Sequence, residues 1–191
     1  MMTLPTTAVD FASRSRWIAA AGWFILLLSA GSALLPLYGK AHSSMIIGTL
    51  LITAGLTEIF AGSLRNETRG LAMSAGLVTT FAGILFLVGT ATHFLSTLSI
   101  VAGWLFVRSI LLLLSTRLVG ASVRMWTAIS AATDLLLALI LAVGLSIATL
   151  VVSLFGATPP MIASFAWILA ASFIATGMLL LEVNSCAQES A

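Results

Sequence analysis

The chain has 191 residues, 60% of them hydrophobic and 7% charged, against about 25% charged in an average soluble domain. Eight basic and six acidic side chains cannot supply a water-facing surface for a protein of this size, so the composition excludes a soluble domain and indicates an integral membrane protein. The bases are scattered without aromatic interleaving, which excludes a nucleic-acid groove, and a single cysteine, Cys186, excludes an intrachain disulfide framework.

A polar tail, 1–16, opens the chain and carries Arg14 and Arg16. A membrane-spanning helix needs about 20 mostly apolar residues, and six such runs follow: Trp17–Leu35, Ser43–Leu64, Gly70–Ala91, His93–Leu114, Trp126–Leu145 and Met161–Leu181. The runs are continuous rather than alternating, so they read as helices, not barrel strands. Pro36 and Gly39 close the first, Arg65-Asn66-Glu67 the second, and Pro159-Pro160 precede the sixth. The first run also has features of a cleaved signal peptide, with two arginines ahead of it and Gly31-Ser32-Ala33 near its end. Its apolar character continues through Leu34 and Leu35, and it fills a place in an internal repeat, so it reads as a retained helix.

That repeat is three helical hairpins, 17–64, 70–114 and 126–181, each with a small-residue entry, an apolar body, a short turn and a second helix with small residues midway. Residues Arg14, Arg16, Arg65, Arg69, Arg117 and Arg124 fall on one side of a six-span layout and only Lys40 on the other. The positive-inside rule then places both termini, including the tail 182–191, in the cytoplasm. Trp17 and Trp126 suit that interface and Tyr38 the outer one. Small residues four apart, such as Ser29/Ala33, Ala72/Gly76, Thr79/Gly83, Ala138/Ala142, Ala166/Ala170 and Ala171/Ala175, let helices approach closely in lipid. They serve packing within the bundle or contacts in a homo-oligomer.

One segment departs from the pattern. From Trp126 to Phe155 the only charge is Asp134, and a straight helix of that length spans about 45 Å against a hydrocarbon layer of about 30 Å. Gly144 offers a bend, so 146–155 is expected to form either a short interfacial or protruding outer helix or the continuation of one tilted or kinked fifth helix. It is also a candidate surface for a protein partner.

The sequence contains no nucleophile elbow, paired-histidine metal box, phosphate loop or cysteine cluster, so no enzymatic activity, metal or cofactor is expected. The informative residues are the ionisable groups inside the apolar runs, because burying charge in lipid is costly. Glu58 lies six residues before Leu64, Arg108 six before Leu114, and Asp134 eight after Trp126. All three therefore fall about two turns from the cytoplasmic face. The expected arrangement is a Glu58–Arg108 pair that fixes the bundle, with Asp134 sharing the arginine or bonding to hydroxyls. A polar cluster serving a proton or ion pathway, or an arginine snorkelling to the interface, are the alternatives. His42 and His93 sit at outer turns in equivalent hairpin positions. They read as solvated loop residues, with an outer pH-sensitive pair as the sharper reading.

The stretch Trp126…Asp134…"FGATPPMIASFAWILAASFIATGMLLL" resembles the HdeD family of small bacterial membrane proteins. Those are similar in length, have six predicted spans in repeated hairpins, and carry a Trp…Asp…"GATP" signature, matched here by Trp126, Asp134, Gly156, Ala157, Thr158 and Pro159. A departure is the 21 residues between Asp134 and Gly156, longer than the family pattern. The resemblance implies a bacterial inner-membrane protein linked to acid or envelope stress, without enzymatic activity. A subunit of a larger membrane complex, or a small-solute or proton transporter, are the competing readings.

Overall fold

The computed structural model describes residues 6–34, 43–65, 68–92, 97–155 and 159–189. Among these residues the chain is all-α, with six helices: α1 Thr6–Ala33, α2 Ser43–Ser63, α3 Arg69–Thr92, α4 Thr97–Ser115, α5 Ala121–Phe155 and α6 Pro159–Glu189. Five of them contain a segment long and apolar enough to cross a bilayer: Ser13–Ala33, Met45–Ser63, Arg69–Val88, Val123–Val143 and Trp167–Ser185. The remaining helix, α4, is equally apolar, with Ser99–Ser115 as its described apolar segment. Its expected start, His93, lies outside the described residues.

Two helices run past their apolar limits. α1 begins at Thr6 and α6 continues to Glu189, because hydropathy marks where a helix meets lipid, not where its backbone bonds stop. The expected break in the fifth run is absent. α5 is one helix of 35 residues through Gly144, about 52 Å long, so 146–155 continues α5 instead of forming a separate interfacial helix. A glycine inside a helix costs only about 1 kcal/mol relative to alanine, which the flanking apolar helix formers absorb.

Each helix packs on its neighbours in the chain, and α6 returns against α1, so the six close into a ring. The most extensive contacts join α2 to α3, α1 to α6 and α4 to α5. Tight packing thus crosses the boundaries of the expected hairpins, and α1 and α2 of the first hairpin touch far less. Glycines explain this. Gly48, Gly55 and Gly62 recur seven apart on α2 and meet Gly83, Gly76 and Ala72 of α3 in antiparallel order. A Cβ on Gly55 would stand 2.5 Å from the Thr80 amide nitrogen and 2.8 Å from the Gly76 carbonyl. Only hydrogen fits there, and backbone-to-backbone approach is what stabilises helix pairs in lipid. Gly22 and Gly177 play the same part for α1 and α6, where Ser29 also donates to the Ala170 carbonyl at 3.0 Å.

Gly22 beside Gly177 and Ser29 beside Ala170 make α1 and α6 antiparallel. The start of α1 and the end of α6 therefore share one end of the bundle. The edge of Trp17 against Phe60, at 6.2 Å between centroids, puts the end of α2 there too. The surface is apolar: Trp23, Phe81, Val143 and Trp167 are more than 60% exposed. Within the apolar spans the charges, Glu58, Arg108 and Asp134, are instead buried inside, the inverse of a soluble protein.

Candidate functional site

Helical spacing aims one face of each helix at the interior. On α4 this face is Trp104, Leu105, Arg108 and Leu112; on α5 it is Thr127, Ala131, Asp134, Ala138 and Leu141; on α2, Leu51, Ala54, Glu58 and Ala61. Each follows the three-to-four-residue period of an α-helix. A polar residue substituted into such a face must find its partners within the bundle.

The structure brings Glu58, Arg108 and Asp134 together. Arg108 is 1% exposed, Glu58 7% and Asp134 0%. Nη2 of Arg108 donates to Glu58 Oε1 at 2.8 Å and to Thr176 Oγ1 at 2.5 Å. Nη1 donates to Asp134 Oδ2 and to Ser172 Oγ at 3.1 Å. Ser172 in turn donates to Asp134 Oδ1 at 2.7 Å, so both oxygens of Asp134 are engaged. Thr176 sends its proton to the Ser172 carbonyl at 2.8 Å, leaving its oxygen to accept from the arginine. A planar guanidinium suits this task because its rigid fork reaches two carboxylates at once.

A second tier supports the first. The Trp104 indole donates to Thr79 Oγ1 at 3.1 Å, and its ring centroid lies 6.0 Å from the Arg108 guanidinium carbon, within cation–π range. The Thr79 hydroxyl lies 3.4 Å from Glu58 Oε2 but 3.0 Å from its own-helix acceptor, the Ala75 carbonyl. Ser172, Thr176, Thr79 and Trp104 were not legible as site residues. Three are common in apolar runs, and only their places on inward faces, with Trp104 one turn before Arg108, distinguish them.

Two carboxylates against one guanidinium leave the cluster one negative charge in excess. Arg65, just beyond the α2 span, supplies the balance. Burial lowers its pKa to about 10, a shift opposed by the nearby charge of Glu58, so it remains a cation at neutral pH. Its Nη2, like Nε of Arg108, makes no hydrogen bond among the described residues. Towards the opposite end the described interior is mainly apolar, with Ile25, Ile47, Leu51, Phe86 and Val101 in one cluster and the buried Ser29 and Ser32 on α1.

Of the remaining residues singled out in the sequence, His42, His93, Gly156, Ala157 and Thr158 lie outside the described residues. Pro159 is the first residue of α6, a position where its missing N–H costs nothing.

Fold and site define an all-α, multi-pass membrane protein with a charge cluster enclosed by its helices. No protein family, curated protein or solved structure matches the chain. The likeness to HdeD proteins therefore rests on the sequence alone: its length and pattern of apolar runs, Trp126, Asp134 and the residues Gly156, Ala157, Thr158 and Pro159.

Proposed function

We propose that the protein is a bacterial inner-membrane protein with a structural or interaction role in acid or envelope stress, as its likeness to HdeD proteins suggests, and that it catalyses no reaction. In this reading all six helices cross the membrane, with α4 held across it between α3 and α5, and both termini lie in the cytoplasm beside Arg14, Arg16, Arg65, Arg69, Arg117 and Arg124.

One observation carries the choice of a structural role over transport: the intramembrane charges are closed on one another. Arg108 spends four hydrogen bonds on Glu58, Asp134, Ser172 and Thr176, and among the described residues the buried polar groups beyond them towards the opposite end, Ser29 and Ser32, carry no charge and bond to backbone carbonyls. A conducting path needs polar groups along its whole length, and mobile ions need sites they can leave. A charge network built into a packed core instead favours one arrangement of helices. The partner is then met by the lipid-facing helix surfaces or by the extension of α5 over 146–155, in a homo-oligomer or a larger complex.

The test is reconstitution beside native purification. Vesicles containing the protein should show no proton or cation flux above empty vesicles, and mild-detergent extraction should yield the protein with a fixed companion or as a defined oligomer. Flux that disappears in Arg108→Leu would overturn the structural reading in favour of transport.

A further inference from the structure

A small chamber of about 30 Å³ opens beside the charge cluster, towards the arginine-bearing end of the bundle. Its lining includes Glu58 and Arg65 from α2 and its following turn, Arg108 from α4 and Thr176 from α6, with Leu112, Leu179 and Leu180 completing the walls. The polar groups around it have complementary demands. Arg65 Nη2 and Arg108 Nε are buried donors without an acceptor among the described residues. Glu58 Oε2 accepts one long bond, from the Thr79 hydroxyl at 3.4 Å, and as a carboxylate oxygen it has a further lone pair to offer. A buried polar group left unpaired costs about 1–3 kcal/mol, so two such donors on one chamber call for a ligand.

That ligand must accept from two guanidiniums and donate to a carboxylate. A halide accepts but cannot donate, and it would sit against the Glu58 charge. A metal cation would face two arginines. A neutral molecule with both capacities meets every demand, and the chamber exceeds the roughly 10–15 Å³ of cavity that a water needs. We infer that this chamber is a binding site for water bridging Glu58, Arg65 and Arg108. The two carboxylates are then inequivalent. Glu58 is hydrated from the arginine-bearing end, whereas both oxygens of Asp134 are held by Arg108 and Ser172. The inference is independent of any role in stress.

Hydroxyl-radical footprinting of the intact protein in nanodiscs reads it directly, because radiolysis of a bound water oxidises the side chains around it. Leu112, Leu179 and Leu180 should be oxidised several-fold more than Leu141 and Ile47, which are comparably buried but lie away from the chamber. Ala75→Leu, which fills the chamber from α3, should bring the three leucines down to the level of those controls. Arg65→Met, at the rim, should lower them as well while disturbing the packing less. Equal oxidation of chamber and control residues in the wild type overturns the site. So does unchanged oxidation in both variants. Stabilisation by bromide but not by gluconate at matched ionic strength would show an anion in place of water, and would also overturn it.

Discussion

Arg108→Leu is the sharpest perturbation the cluster offers. The substitution keeps a long side chain at a position 1% exposed but removes the bonds to Glu58, Asp134, Ser172 and Thr176. Two buried carboxylates are then left without the cation that held both of them. Breaking a buried pair by removing one partner costs about 3–5 kcal/mol, chiefly through the charge left uncompensated. The hydroxyl contacts add less, since interhelical hydrogen bonds in membrane bundles average about 0.6 kcal/mol. Removing all three charges, in Glu58→Leu, Arg108→Leu and Asp134→Leu together, leaves no stranded ion and should recover most of the loss. Arg108→Lys should fall between, because an ammonium keeps the charge but cannot hold both carboxylates through a planar fork. Equilibrium unfolding in mixed micelles of increasing dodecyl sulfate measures each variant on one scale. Wild-type stability in Arg108→Leu would refute the reasoning outright. A triple variant as unstable as the single one would show that packing volume, not charge, sets the cost.

The two acids should respond differently: Asp134→Asn disturbs two bonded oxygens and should cost about 1–3 kcal/mol, with Glu58→Gln costing less, as the same titration would show. Gly55→Ala should loosen the α2–α3 contact, where the new methyl meets backbone at 2.5 Å, at about 1–3 kcal/mol. Gly103→Ala, whose Cβ would enter open space, is the control and should be neutral or slightly stabilising. Cysteines introduced at Arg65 or Arg117 should resist a membrane-impermeant label added from outside intact cells; labelling there would reverse the proposed topology.

Much of this architecture was readable because lipid imposes a simple rule: a run of apolar residues long enough to cross it must be a helix. The three buried charges were legible for the same reason, being costly exceptions at one depth. What escaped were features on which lipid has no bearing. The helical starts and ends at Thr6 and Glu189 depend on backbone bonds that continue outside the apolar layer. Gly144 looked like a bend but lies within a continuous α5, because a single glycine tolerates helix geometry when its neighbours favour it. The pairing of helices was hidden by the choice of spacing. Residues four apart picked out Ala72 and Gly76 on α3, but their counterparts on α2, Gly48, Gly55 and Gly62, recur every seven. Ser172 and Thr176 were hidden by their ordinariness, since a hydroxyl in an apolar helix usually bonds its own backbone.

The glycine contacts and the charge cluster divide the work of holding the ring together. Close backbone approach joins α2 to α3 and α1 to α6, but van der Waals packing decays slowly as one smooth face slides past another. The cluster draws on each of the three most extensively packed pairs: Glu58 and Thr79 from α2 and α3, Arg108 and Asp134 from α4 and α5, and Ser172 and Thr176 from α6, which carries α1. A hydrogen bond is lost within an ångström of displacement, so one guanidinium satisfied by partners from separate pairs fixes their relative height as well as their proximity. The α4–α5 pair has no such glycine contact among the described residues and depends on this latch most. Neutralising the cluster with leucines should therefore restore stability more fully than it restores a unique arrangement of α4 and α5. The signature would be a triple variant with near-native unfolding but broadened amide resonances confined to those two helices.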